Sequence, residues 1–357
     1  MQPLSVAVVG TGFWGAEWLR TLATIEGVVL AATAGHRPVD VPAGLEPAPG
    51  YRHFGDYKDA LAQSSADAVI VALPTPLHAD AILRSLESGR HVLCEKPLAQ
   101  SPVEVARLLS AAAERPELVA MVQQNYRRRP WAQLVRSLID DGTVGRLGHI
   151  AVRFRQPEML VGIRAGLANP LLQDMGIHHM DLLRFLAGRD AVELYAREHR
   201  PAWSIFEGRP GLDAVIEMQD GLQVSYSGSW AGRGRATEWD GDWLIEGDRG
   251  LLEVTDLRVS FHPNPDNDPT TTDTAVAERV EIAVPELPLG DLQSSFAAFR
   301  RALEHGEEPD TSIRDNAHSI ALVFAAEESI RQGRPVKVRS WGDANAALTP
   351  ARVLRAR

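Results

Sequence analysis

Through the first third of the chain, short apolar runs alternate with longer amphipathic stretches. Residues 4–9, 28–34, 68–73, 91–94 and 119–122 are largely apolar and read as strands covered on both faces. Residues 16–22, 57–63 and 79–87 read as helices, and another opens at Ser101-Pro102-Val103-Glu104. There Ser101 is placed to cap, Pro102 takes the first helical position and Glu104 closes a capping box. The stretch between residues 34 and 57 is rich in proline and glycine and reads as a connection leading into a short helix. Alternating strands and helices predict an α/β Rossmann domain, a doubly wound parallel sheet. Ligands of such a sheet bind beyond the carboxyl ends of its strands.

The period changes near residue 147. Residues 147–154 are strand-like, and Leu222, Val224, Tyr226 and Trp230 alternate with Gln223, Ser225, Ser227 and Ser229. Asp220-Gly221 predicts a hairpin back to 214–218, and Gly247-Asp248-Arg249-Gly250 a second hairpin between 243–246 and 251–254. This is the pattern of an α+β domain with an open, mainly antiparallel sheet, closed by helices at 294–305 and 316–331. Residues 263–274 read as a loop. The expected organisation is a dinucleotide-binding domain over 1–123, a substrate-binding and oligomerisation domain over 124–338, and an irregular tail over 339–357.

Between these strands runs Asp174-Met175-Gly176-Ile177-His178-His179-Met180-Asp181, continuing into Leu182-Leu183-Arg184-Phe185-Leu186. At helical spacing Asp174, His178, Asp181 and Phe185 form one stripe, with Met175, Leu182, Leu183 and Leu186 opposite. Two carboxylates and an imidazole on a stripe backed by apolar packing make a rigid mount for proton transfer. A solvated face with a surface histidine has the same pattern. His179 falls on the apolar side and reads as a packed or interface histidine. Neighbouring histidines on a helix point about 100° apart, so Asp174, His178 and His179 do not converge on one ion, and no metal is expected.

Composition narrows the classes. The 357 residues suffice for two domains, and 45% hydrophobic with 24% charged residues is ordinary for a globular protein. A formal net charge of -10 leaves no electrostatic footprint for nucleic acid or an anionic membrane. One cysteine, Cys94, excludes an internal disulfide and reads as inert packing in a buried strand. No apolar run is long enough to span a bilayer, and Met1-Gln2-Pro3 leads directly into the first strand, so a cytoplasmic protein is expected. Arg127-Arg128-Arg129 reads as one substrate-facing arginine with solvated neighbours, and Trp230, Trp239 and Trp243 as sheet core rather than a sugar-stacking surface.

Gly10-Thr11-Gly12-Phe13-Trp14-Gly15 stands between the first strand and the first helix, the setting in which G-x-G-x-x-G binds a dinucleotide pyrophosphate. Thr75, Lys96 and Tyr126 fall at the ends of later strands. The second strand ends at Ala34-Gly35-His36-Arg37-Pro38, with no carboxylate until Asp40. An acid at that end reads the ribose 2′-hydroxyl of NAD; its absence, with Arg37 and His36 in its place, favours NADP. NAD is the alternative, with Asp40 reaching the ribose and Arg37 solvated.

Taken with Thr75-Pro76 and His78, Glu95-Lys96-Pro97 and Asp174-Met175-Gly176-Ile177-His178, the glycine motif makes the chain resemble the Gfo/Idh/MocA family of nicotinamide-dependent oxidoreductases over roughly residues 4–338. The resemblance implies that Lys96, Asp174 and His178 form the catalytic group and that the Lys96–Pro97 peptide is cis. It implies cofactor contacts from Gly10, Gly12, Phe13, Trp14, Gly15, Leu73, Thr75, His78, Glu95, Lys96 and Asn125. Substrate contacts fall to Lys96, Tyr126, Arg127, Asp174 and His178. Many members have a Gly-rich run where this chain has Asn169-Pro170-Leu171-Leu172-Gln173, so the individual substrate does not carry over.

The implied chemistry is hydride transfer between NAD(P) and the hydroxyl or carbonyl carbon of a sugar, polyol, inositol or related small molecule. His178 acts as general base, Lys96 stabilises the developing alkoxide and Asp174 binds a neighbouring hydroxyl; an alternative gives the proton to Lys96. Two rivals are an NAD-dependent glycoside hydrolase of the same fold and a non-catalytic dinucleotide-binding sensor. An open sheet with one uncovered face also predicts a homodimer or homotetramer.

Overall fold

The computed structural model describes residues 3–157, 166–264, 278–286 and 289–342. The expected loop beyond Asn264 and the tail beyond Gly342 lie outside the described residues. Two compact units divide the chain. The first takes the described parts of Met1–Gln124 and Leu289–His318, with 340–342; the second takes those of Asn125–Pro288 and Ser319–Arg339.

The first unit is built from β1 (Leu4–Val9), α1 (Phe13–Leu22), β2 (Val28–Ala34), β3 (Glu46–Phe54), α2 (Tyr57–Gln63), β4 (Ala68–Val71), α3 (His78–Glu87), β5 (His91–Cys94), α4 (Pro102–Ala113) and β6 (Ala120–Val122). Its six parallel strands run in the order β3-β2-β1-β4-β5-β6, so the direction of winding reverses between β1 and β4. The buried strands carry the core: Val6, Val8, Leu30, Ile70 and Leu93 pack with Trp18, Leu19 and Leu22 of α1 and with Phe296 and Phe299. At the start of α4, Ser101 accepts from the Glu104 N–H and Glu104 from the Gln100 N–H.

β3 corrects the sequence pattern, which reads its segment as a connection. Pro47, Pro49 and Gly50 break the strand signal, yet the strand stands at the sheet edge, where one side of its backbone needs no partner. The first unit is not one continuous stretch of sequence. The chain returns to the first unit over Leu289–His318, because Phe296 and Phe299 complete that unit's core.

The second unit begins with α5 (Pro130–Asp140) and β7 (Leu147–Arg155), followed by α6 (Ile177–Ala187). β8 (Ala191–His199), β9 (Gly211–Met218), β10 (Gln223–Ser229), β11 (Asp242–Gly247), β12 (Gly250–Thr255), β13 (Arg258–Pro263) and β14 (Val280–Ile282) come next. α7 (Asp291–His305) belongs to the first unit, α8 (Ile313–Gln332) runs from residues of the first into residues of the second, and β15 (Val336–Lys337) closes the sheet. The nine strands run β14-β13-β12-β11-β7-β10-β9-β8-β15, antiparallel except where β10 lies parallel to β7. Both predicted hairpins form, joining β9 to β10 and β11 to β12. Trp230 and Trp243 are buried, as core positions require, while Trp239 is half-buried. No helix among the described residues is long and apolar enough to cross a membrane.

Candidate active site

In the first unit the candidate residues gather at the carboxyl ends of the strands. Gly10 has φ +95, and a Cβ there would stand 2.4 Å from the Ala72 backbone. A Cβ on Gly15 would stand 1.8 Å from the Gly10 carbonyl oxygen, so the helix can meet the strand only through glycine. Gly12 differs: a Cβ there would meet nothing within 4 Å, which leaves backbone open to an incoming ligand at the start of α1. The first N–H groups of a helix have no intrahelical acceptor and favour an anion.

Gly10 and Gly12 border a pocket of about 640 Å³. Thr11, Phe13, Trp14, Ala72, Leu73 and Leu77 line one part, and Gly35, His36, Arg37 and Val39 another. Asp56 and Tyr57, which follow β3, complete the wall. Asp56 also caps α2, its Oδ1 accepting from the Lys58 N–H at 2.9 Å. An open glycine turn, apolar walls and a cationic corner at a topological switch point fit a nicotinamide dinucleotide.

Glu95 and Lys96 follow β5. Glu95 is buried, and its Oε1 accepts from the Trp18 indole N–H at 2.8 Å. Burial pushes its carboxyl up to about 7, against the opposing effects of that hydrogen bond and of Lys96. Lys96 is half-buried, and the Lys96–Pro97 peptide is cis, as the resemblance implies. His78 is buried with both ring nitrogens on backbone carbonyls, those of Pro97 and Leu73. Its nitrogens are therefore turned to the protein's own backbone.

In the second unit Asn125–Arg128 forms a short 3-10 turn that carries Tyr126 and Arg127. The Tyr126 ring stacks on His178, with centroids 4.5 Å apart and planes 17° from parallel. The Arg129 guanidinium carbon lies 5.2 Å from the Tyr126 centroid. Behind this stack Arg127 grips Asp181 with two hydrogen bonds of 2.6 and 2.7 Å, and the Ser319 hydroxyl donates to the same carboxylate at 2.6 Å. The Arg127 and Asp181 side chains are only 6% and 0% exposed.

Three expectations change here. The segment carrying Asp174 is not a regular α-helix. Leu171–Gly176 is a π-turn that passes into α6 at Ile177, and wide turns of this kind recur at functional sites. The stripe is not a solvated polar face either. Residues 177–183 of α6 are all buried, and Asp181 is spent on Arg127 and Ser319 rather than presented beside His178. The expected substrate-facing Arg127 likewise has its guanidinium turned onto Asp181. Asp174 remains half-buried in the π-turn and His178 is 7% exposed.

His179 is packed. Its Nδ1 lies 2.9 Å from the Tyr226 hydroxyl and its Nε2 3.0 Å from the Trp239 carbonyl oxygen. One acceptor and one hydroxyl suit a neutral ring, with Nε2–H donating to the carbonyl and the hydroxyl donating to Nδ1. Burial holds its pKa down at about 4.

The pattern alone did not single out Asp56, Tyr57 or Val39. The signal for the first two was an unseen β3, since any parallel strand's carboxyl end faces the ligand.

Comparison with known proteins agrees with this anatomy. A family described as an oxidoreductase family with an NAD-binding Rossmann fold matches residues 4–123, and the GFO/IDH/MocA C-terminal domain matches residues 132–253. D-apiose dehydrogenase of Paraburkholderia graminis is 31% identical over 350 residues, covering 94% of this chain and 89% of that protein. Inositol 2-dehydrogenase of Mycolicibacterium smegmatis is 27% identical, covering 95% of this chain and 97% of its own length. A crystal structure of an oxidoreductase from Agrobacterium radiobacter with NAD+, L-tartaric acid and magnesium shares the fold, with TM-score 0.82 at 22% identity, covering 94% of this chain and 99% of that one.

Proposed function

The chain belongs to the Gfo/Idh/MocA family of oxidoreductases, and from that premise we propose that it oxidises a hydroxyl-bearing carbon of a sugar or polyol, or reduces the corresponding carbonyl carbon, with NADP as preferred cofactor. When bound, the nicotinamide supplies the hydride acceptor or donor. In the oxidising direction His178 takes the hydroxyl proton. The stack of its ring on Tyr126 is the observation that carries the reading, because it fixes the orientation of a proton-transfer group. Lys96 stabilises negative charge developing on the substrate oxygen, and Asp174 accepts from an adjacent hydroxyl. Arg127 and Asp181 act as positioning residues, holding the turn that carries Tyr126 against α6. The substrate class is supported by relatives named D-apiose dehydrogenase and inositol 2-dehydrogenase.

The cofactor preference is supported by the pocket corner formed by His36 and Arg37, where a 2′-phosphate meets a planar cation. The carboxylate on that pocket's wall, Asp56, is engaged as a helix cap. The test is kcat/KM for NADP and for NAD with a substrate taken from a panel of polyols and aldoses, on the parent and on Arg37→Ala. NADP is expected to win, and Arg37→Ala to cost NADP about tenfold or more while NAD changes little. A parent that prefers NAD, or an Arg37→Ala variant with unchanged NADP use, contradicts the preference.

A further inference from the structure

His78 opens α3 at 1% exposure, and each of its ring nitrogens stands 2.7 Å from a backbone carbonyl oxygen. The Nδ1 partner is Pro97, the residue after Lys96, and the Nε2 partner is Leu73, on the wall of the dinucleotide pocket. These carbonyls lie beyond the ends of β4 and β5, neighbouring strands in register at Val71 and Cys94. One imidazole therefore spans the lysine's loop and a cofactor loop.

A carbonyl oxygen only accepts, and a neutral imidazole has one N–H. Only the imidazolium satisfies both partners. In the neutral ring one carbonyl faces a nitrogen lone pair at hydrogen-bond distance. His179, with one carbonyl and one hydroxyl, has no such conflict. Burial and the charge of Lys96 oppose the imidazolium, the two carbonyls favour it, and the balance lies below the ordinary histidine range. Other charged groups nearby are engaged. Asp80 of α3 accepts from Tyr57 and Arg84, Glu95 from Trp18, and Glu104 of α4 from the Gln100 N–H.

We propose that His78 is a positioning residue for Lys96, tying the lysine's loop to the Leu73 loop through both ring nitrogens when protonated and through only one when neutral. The catalytic part of this rests on the role given to Lys96 above; the coupling between the two residues does not. The chain has three lysines, Lys58, Lys96 and Lys337, so full-length protein labelled with 13C at the lysine Cε gives a few signals, with that of Lys96 assigned by Lys96→Arg.

The expected result is a Lys96 signal with an inflection on the acid side that Lys58 and Lys337 lack and that His78→Gln removes. In turnover, His78→Gln is expected to lose about tenfold to a hundredfold in kcat while the cofactor KM stays within about threefold. A Lys96 signal without that inflection in the parent overturns the proposal, and this needs no variant to fold. A rise in cofactor KM with kcat intact overturns it too, by making His78 a cofactor contact. If Lys96→Ala retains turnover, the catalytic reading of the lysine fails while the spectroscopic test of the coupling still decides.

Discussion

A buried carboxyl such as Glu95 ties stability to pH in a direction opposite to that of a salt-bridged acid. Below its unfolded pKa of 4.5 both states hold the proton. Between 4.5 and about 7 the unfolded chain releases it first, so stability falls as pH rises, and the loss is complete above the folded value. Its size is about 3 kcal/mol. Glu95→Gln keeps an acceptor for the Trp18 indole and removes this dependence. Its thermal midpoint, compared with that of the parent at acidic and mildly alkaline pH, is expected to gain on the parent as pH rises; parallel curves contradict the assignment. At the site itself, Lys96→Ala and His178→Ala are each expected to lower kcat by about 100-fold or more with cofactor affinity largely kept, as measured by titrating the cofactor and by initial rates. Motif, spacing and family resemblance single these residues out as candidates. What was not legible was how they are spent. Nothing in the order of residues says that Asp181 belongs to Arg127, 54 residues away, or that the nitrogens of His78 are taken by backbone carbonyls 19 and 5 residues away.

Among elements, α6 shows how a helix rich in polar side chains can still be buried. Its charge is neutralised inside by a bidentate Arg127–Asp181 pair, with Ser319 satisfying a remaining acceptor site. Removing one partner strands the other in a dry site, at about 3–5 kcal/mol. Arg127→Met is therefore expected to lower both the unfolding midpoint in urea and kcat, the latter because Tyr126 and its stacked His178 lose their anchor. A variant with the parent's midpoint and kcat shows that the pair does neither. Periodicity placed this helix but misread its first turn, since a π-turn shifts Asp174 out of the regular register. It missed β3 for a different reason: proline and glycine weaken a strand signal, and only the edge position makes them harmless.

For the molecule as a whole, the parallel sheet of the first unit and the two hairpins of the second followed from period and turn chemistry. The return of residues 289–318 to the first unit did not, since an amphipathic helix does not announce which sheet it covers. The nine-stranded sheet carries a line of polar contacts, with Arg155 donating to Ser227 and Ser227 to Asp213, alongside the exposed Val215 and Leu244. A homodimer or homotetramer built on this sheet is the expected assembly, and light scattering at micromolar concentration should return a multiple of the 39.0 kDa chain mass. A monomer mass contradicts it. The central claim concerns net redox chemistry, and the most direct measurement follows nicotinamide absorbance and product together. Purified full-length protein is given NADP or NAD with each member of a polyol and aldose panel. The prediction is one reduced cofactor formed for each oxidised sugar or polyol, lost in His178→Ala. Release of a free sugar without net change in the cofactor, or cofactor binding with no turnover of any panel member, would contradict it.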